Sequence, residues 1–307
     1  MAQPLTILDT QLVQSTLVAC GTLLVYDFLC MLDQEVAYVW TAPWTFGTAL
    51  FFLNRYLPFI DTFLSLKLKL SMNTPERCQQ EFTVVTWLIV AGIIISEVVL
   101  ALRTYAIWQG RRLILIILCV SSAVTFIPAI VVTHIELKSL KYVPSELAGC
   151  RLSTASSIII VAYISLALFE TIMAVLTGIE AYRHLRHSQS RWVVQLYREG
   201  LIFYVYMLVI SIANILVPIL APRIFANWLA TPQRVMHSVL CNRVLLLILK
   251  QRSSSNMTNR VHRFGEELTK DPVFESFVDE GVSANMTIVG PTIDTVYTDT
   301  ELQVYRS

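Results

Sequence analysis

Ionisable side chains lie inside long apolar stretches of this 307-residue sequence, where a charge is costly. The candidates of this kind are Asp27, Arg55, Asp61, Glu97, Arg103, Glu170, Arg234, His237 and Arg243. In a hydrocarbon environment such groups pair with one another, line a water-filled path, or form a switch that a ligand or proton can break. Their chemistry is that of ion pairing and proton transfer, and plain helix-to-helix packing is the alternative explanation.

Long apolar helices must carry these residues. Hydrophobic residues make up 55% of the chain and charged residues 15%, against about 45–50% and roughly a quarter in soluble domains. A lipid-embedded backbone satisfies its own hydrogen bonds, so each apolar stretch of about 20 residues is predicted to be a transmembrane helix. The predicted fold class is all-α, a polytopic transmembrane helix bundle with seven spans at about 11–32, 44–66, 82–107, 113–133, 153–178, 200–220 and 224–249.

Lysine and arginine near the span ends predict the orientation. Arg111 and Arg112 follow the third span, a basic segment at 183–198 follows the fifth, and Lys250 follows the seventh. With seven spans these basic segments share one side, so we predict a cytosolic C-terminus and an N-terminus outside. The seventh stretch is the most polar, and a bundle of six spans without it is the alternative.

This orientation predicts which intramembrane charges meet. Arg55 and Glu97 lie near the middle of their spans, so we expect them to pair. Four others lie toward the cytosolic ends of their helices and are predicted to form one polar cluster at the inner mouth: Asp27, Arg103, Glu170 and Arg243.

The C-terminal segment differs in composition from the rest. Residues 251–307 are rich in polar and acidic residues and lack a sustained apolar period, so we predict a disordered cytosolic tail after a membrane domain at 1–250. The sequence has no nucleotide-binding or hydrolase motif and no metal-ligand spacing, so no catalytic residue, metal or cofactor is predicted. Nucleic acid is not an expected partner, because the net charge is +1 and no basic aromatic patch is present.

A longer pattern near the N-terminus is more specific. It joins Tyr26-Asp27 in the first span, Glu35-Val36 and Trp40 after it, and Leu53-Asn54-Arg55-Tyr56 in the second span. It resembles the signature, at about residues 20–66, of a large fungal family of multi-span membrane proteins of unknown function, the DUF 6533 type. Later similarities extend the resemblance to about residue 250: Leu102 to Ala106, Leu196 to Gly200, His237 to Leu240, and Asn242-Arg243. The resemblance implies a multi-span membrane domain and no known activity, and the layout is similar to that of seven-helix receptors.

Two cysteines are predicted to lie on the outer side. Cys78 precedes the third span and Cys150 precedes the fifth, so both would face an oxidising environment. A disulfide between them would tie the outer loop to the third helix, as is common in seven-helix receptors. Two free thiols are the alternative.

The expected function is that of an integral, multi-pass membrane protein of the plasma membrane or an endomembrane. Receptor-like signalling is the first hypothesis, with the lipid bilayer as the environment and a cytosolic signalling partner at the basic 184–200 loop and the tail. A transporter or channel that uses the intramembrane charges is the alternative, and a membrane lipid enzyme is the third.

The topology can be tested in intact cells with one epitope tag at each terminus. We expect antibody access to the N-terminal tag and protection of the C-terminal tag from external protease, because seven spans place the ends on opposite sides. Access to both tags, or to neither, would indicate an even number of spans.

Overall fold

The computed structural model of the protein describes residues 7–41, 44–71, 74–143, 151–154, 158–187, 191–221, 225 and 227–269. Within these ranges it contains seven α-helices and one short hairpin. The helices are α1 (Ile7–Glu35), α2 (Phe46–Leu70), α3 (Pro75–Ile107), α4 (Arg112–Ser139), α5 (Ile159–His187), α6 (Arg191–Leu220) and α7 (Ala230–Thr269). The predicted helical membrane bundle is confirmed, with one helix for each predicted span.

The hairpin between α4 and α5 was not predicted. Strand β1 (Lys141–Val143) pairs antiparallel with β2 (Arg151–Thr154), with Tyr142 opposite Leu152. The prediction that the fifth span begins at 153 was therefore wrong, since α5 begins at Ile159. The polar residues Arg151, Ser153 and Thr154 precede the uninterrupted apolar run, and they form the strand instead of the helix start.

Helices α5 and α6 are longer than the predicted spans. The predicted 184–200 loop is helical apart from residues 188–190, which lie outside the described residues, because α5 ends at His187 and α6 begins at Arg191. Helix α7 likewise continues to Thr269 and so covers part of the segment predicted to be disordered from residue 251. The remainder of that predicted tail, 270–307, lies outside the described residues.

The outer surface of the bundle is apolar. On α4, exposed side chains recur three or four residues apart, which makes a stripe along one helix face: Val120, Val124, Ile127 and Val131. Hydroxyl groups on the helices bond the carbonyl one turn earlier, as Thr22 Oγ1 does to Val18 O at 2.9 Å, so they need no water. Such a surface indicates a lipid bilayer environment.

Five helical segments of the described chain have the length and apolar composition to cross a membrane: Gln11–Trp40, Pro75–Ile107, Arg112–Ser139, Ile159–Arg183 and Ile202–Leu220. Helices α2 and α7 fall outside this set because polar residues interrupt their apolar runs. These polar residues are buried, including Asn54 and Asp61 on α2 and Arg234 and His237 on α7. Both helices thus direct their polar residues at other helices. The number of spans and the orientation stay predictions.

The structure describes one of the two cysteines of the predicted disulfide. Cys78, in the first turn of α3, is buried and disulfide-bonded, and its predicted partner, Cys150, lies outside the described residues. The other cysteines in the described part of the chain are free: Cys20, Cys30, Cys119 and Cys241. The pairing of Cys78 with Cys150 stays a prediction.

We expect peptide mapping without reductant to recover the two segments containing Cys78 and Cys150 as one linked species. Mutation of either residue to serine should lower the free energy of unfolding by about 2–4 kcal/mol, the usual contribution of a native disulfide. Cys119→Ser is the matched control, because this cysteine is free and exposed. Alkylation of both Cys78 and Cys150 in the unreduced protein would contradict the pairing.

Candidate functional site

Arg55, in the middle of α2, is the centre of the first buried cluster. Its Nη1 donates to Asp27 Oδ2 at 2.7 Å, and its Nε donates to Glu35 Oε2 at 3.2 Å. Its Nη2 donates to the carbonyl oxygens of Asp27 and Phe28, each at 3.3 Å. Only 3% of the Arg55 side chain is exposed. The guanidinium therefore exchanges water for two carboxylates and two carbonyls, which is the condition for burying it.

Glu35 is fully buried at the end of α1, where the backbone changes to a π-helical turn, Val36–Trp40. Its Oε1 accepts from Tyr56 Oη at 2.7 Å and from Trp40 Nε1 at 3.2 Å. Trp40 lies five residues along the chain, which is the hydrogen-bond period of a π-helix. The π-helical turn thus ends at Trp40, whose side chain donates one of the hydrogen bonds to Glu35.

Arg243 connects this cluster to α7. Its Nε donates to Asp27 Oδ1 at 2.9 Å, so one carboxylate binds an arginine from each of two other helices. The cluster contains two carboxylates and two guanidinium groups and is formally neutral. Arg243 is 42% exposed, so the pairing lowers the cost of the three charges that are buried in the low-dielectric interior, those of Asp27, Glu35 and Arg55.

A second cluster links α2, α3 and α7. Asn54 accepts from Ser96 Oγ at 2.6 Å and donates to Asn242 Oδ1 at 3.0 Å. Arg234 reaches the same site: its Nε donates to Asp61 Oδ2 at 3.3 Å and its Nη1 to Ser96 Oγ at 3.2 Å. All five side chains are almost completely buried, so the second cluster forms a continuous polar layer inside the bundle.

Gly92 on α3 makes room for Arg234. A Cβ built on Gly92 would collide with the Nε, Cζ and Nη2 atoms of the Arg234 guanidinium. Any larger residue at this position would therefore displace the arginine from Asp61 and Ser96.

The third cluster consists of Glu97 on α3, Glu170 on α5 and His237 on α7. His237 Nε2 lies 3.0 Å from Glu170 Oε1, within hydrogen-bonding geometry. His237 Nδ1 lies 3.3 Å from Glu97 Oε1, but this contact misses hydrogen-bonding geometry. The three residues are at most 1% exposed. They offer one ligand atom each within 4.8 Å of one another, which is a spacing that could hold a metal ion. The sequence had predicted no metal-binding residue.

Helix α7 is the element that the three clusters share. It contacts α1 through Arg243, α2 and α3 through Arg234, and α5 through His237. It contacts α6 through Gln233, whose Nε2 donates to Ser211 Oγ at 2.6 Å. These four side chains therefore link α7 to five other helices.

Two predicted pairings were wrong. Arg55 pairs with Asp27 and Glu35 instead of Glu97, because α1 packs beside α2 and supplies two acidic residues. The single inner cluster is also not formed: Asp27 meets Arg243, whereas Glu170 meets His237. Arg103 is buried and lines a cavity of about 10 Å³ with Tyr204 and Cys241.

Sequence reasoning left three site residues out of the candidate set: Glu35, Asn54 and Ser96. A helical period of polar residues on α7 could have revealed part of the site. Residues at 234, 237, 238, 241 and 242 follow the three- and four-residue spacing of one helix face. No such signal identifies Glu35, because a glutamate after an apolar run is typical of an exposed loop.

The fold and the buried clusters define a helical integral membrane protein with a polar interior. Residues 15–60 match the family described as "Family of unknown function (DUF6533)", and the resemblance of the N-terminal signature to this family is thereby confirmed. The matched segment contains Asp27, Glu35 and Arg55, so the family segment encodes most of the first cluster. No curated protein matches the chain.

We expect Gly92→Ala to lower the free energy of unfolding by about 3 kcal/mol, because the methyl group overpacks the interior and separates Arg234 from Asp61. Thermal unfolding in detergent or nanodiscs measures the loss. Gly21→Ala on α1 is the matched control, since its Cβ would be 3.7 Å from the nearest atom, an ordinary contact with Phe63. Equal midpoints for the two variants would contradict the close approach of Arg234 to α3.

Proposed function

We propose that this membrane protein is receptor-like: α7 moves between two arrangements and transmits a change inside the bundle to a cytosolic partner. The observation that carries the proposal is the set of buried polar contacts that join α7 to five other helices. Polar contacts of this kind have discrete bonded and broken arrangements, which is what a two-state element requires.

The cytosolic readout would lie at the basic segment 184–200 and at the end of α7. Helices α5 and α6 extend into that segment, and α7 continues to Thr269, so each of these helices offers a partner a helical surface. This proposal includes a seven-span count, a cytosolic C-terminus and a cytosolic partner. It also includes a fungal origin and a location in the plasma membrane or an endomembrane.

Double electron–electron resonance can test the two arrangements of α7. Spin labels at Arg112→Cys and Lys250→Cys, in a Cys30→Ser, Cys119→Ser background, report the distance between α4 and the lower part of α7. We expect Asp27→Asn to add a second distance population, because it weakens the bonds to both Arg243 and Arg55.

Glu81→Gln is the matched control, because it removes an exposed ion pair with Lys67 that does not involve α7. It should leave one distance population. If Asp27→Asn lowers the unfolding temperature and keeps the wild-type distance, the cluster serves packing alone. Ion flux through proteoliposomes containing the wild-type protein would instead favour a transporter.

A further inference from the structure

The cluster of Glu97, His237 and Glu170 contains more acceptor atoms than donors. Four of its atoms have no hydrogen-bond partner among the residues that the structure describes: both carboxylate oxygens of Glu97, Oε2 of Glu170 and Nδ1 of His237. The three side chains are at most 1% exposed, so bulk water does not satisfy these atoms. Buried polar atoms in folded proteins are nearly always paired, and several unpaired atoms at one place indicate a missing ligand.

A proton alone does not satisfy this arrangement. When His237 Nε2–H donates to Glu170, a neutral imidazole presents its Nδ1 lone pair to the Glu97 carboxylate at 3.3 Å. Two acceptors then face each other. A second proton on the imidazole would serve one contact at most, because Glu97 Oε2 and Glu170 Oε2 would still have no donor.

A divalent cation would satisfy several of these atoms at once. Metal–nitrogen and metal–oxygen bonds of about 2.0–2.2 Å place neighbouring ligand atoms roughly 3.0–3.5 Å apart. The distance of 3.0 Å between His237 Nε2 and Glu170 Oε1 falls in this range, and one ligand atom from each of the three residues lies within 4.8 Å of the other two. Two carboxylates also neutralise the two charges of the ion, so the loaded site needs no further counter-ion from these residues.

We infer that Glu97, Glu170 and His237 bind a divalent transition-metal ion between α3, α5 and α7. A mixed set of one imidazole and two carboxylates favours Zn²⁺, Mn²⁺ or Fe²⁺ over Ca²⁺ and Mg²⁺, which prefer oxygen ligands alone. One ring nitrogen of His237 and one oxygen from each glutamate would form the ligand set, because one such atom from each residue lies within 4.8 Å of the other two.

The site rests on these three side chains and does not depend on the receptor-like proposal. It would join three helices that the sequence separates by up to 140 residues, from Glu97 to His237. A bound ion would therefore also stabilise the bundle, because an ion that binds only the folded state raises its stability.

The test uses full-length protein without a polyhistidine tag, purified in detergent. Elemental analysis after purification should find about one transition-metal ion per chain, since buried three-ligand sites retain their ion. After chelation, Zn²⁺ or Mn²⁺ added to the wild type should raise the unfolding temperature, and Ca²⁺ and Mg²⁺ should not. Co²⁺ loading should give a visible spectrum of a nitrogen and oxygen ligand set.

Variants identify the ligands. Glu97→Gln and His237→Gln should each weaken Zn²⁺ binding at least about tenfold and abolish the stabilisation, and Glu170→Gln should weaken binding by about 10–100-fold. Asp61→Asn is the matched control: it also neutralises a fully buried carboxylate, but one that binds Arg234 and lies outside the cluster. It should keep the ion.

Several results would overturn the inference. Wild-type protein that contains no ion and gains no stability from Zn²⁺ or Mn²⁺ has no metal site here, and this measurement requires no variant to fold. Stabilisation by Ca²⁺ or Mg²⁺ alone would exclude the transition-metal class. Unchanged binding in Glu97→Gln and His237→Gln would place the ion elsewhere.

Discussion

The constraint on which the structure depends is the cost of an unpaired charge or polar group away from water. In a lipid environment the outside of the protein offers no hydrogen bonds, so every polar side chain within the bundle needs a partner on another helix. The seventh helix concentrates such groups, and it therefore lies among the other helices, with His237 and Arg234 completely buried. Its position follows from its polarity.

The same constraint explains the contrast between helices α4 and α7. Helix α4 exposes a stripe of branched apolar residues and buries few side chains, as is typical of a helix that faces lipid. Helix α7 is too polar to count as a span by composition, yet almost every residue from Thr231 to Val244 is buried or half-buried. Hydropathy measures how compatible a helix is with lipid. It therefore gives a low score to a helix that belongs to the bundle but contacts mainly other helices.

The first cluster gives a physical reason for the charged residues of the family segment, residues 15–60. The segment places two acidic residues and one basic residue within apolar helices: Asp27, Glu35 and Arg55. The ion pairs between them lower the free-energy cost of burying each charge. Loss of one would leave the remaining charges unpaired, which costs more than the pair itself contributes. A signature of mixed residue types is the expected result of such interdependence. Because Arg243 also binds Asp27, the family segment is linked to helix α7.

The sequence by itself determined the membrane environment, the helical class and the approximate positions of the helices. These properties depend on local composition, since about 20 apolar residues in a row have one stable backbone conformation in lipid. It also identified most of the ionisable residues of the interior, because a charge within an apolar run stands out wherever its helix packs.

Only the tertiary structure decided which of these residues meet. Arg55 binds Asp27 and Glu35 from α1, although its depth in the span had suggested Glu97, and Glu97 lies beside His237 instead. Depth along the membrane normal can be estimated from sequence position, but the rotation of each helix about its axis cannot. A rotation of 100° per residue separates neighbouring side chains, so the choice of partner rests on how all seven helices pack at once.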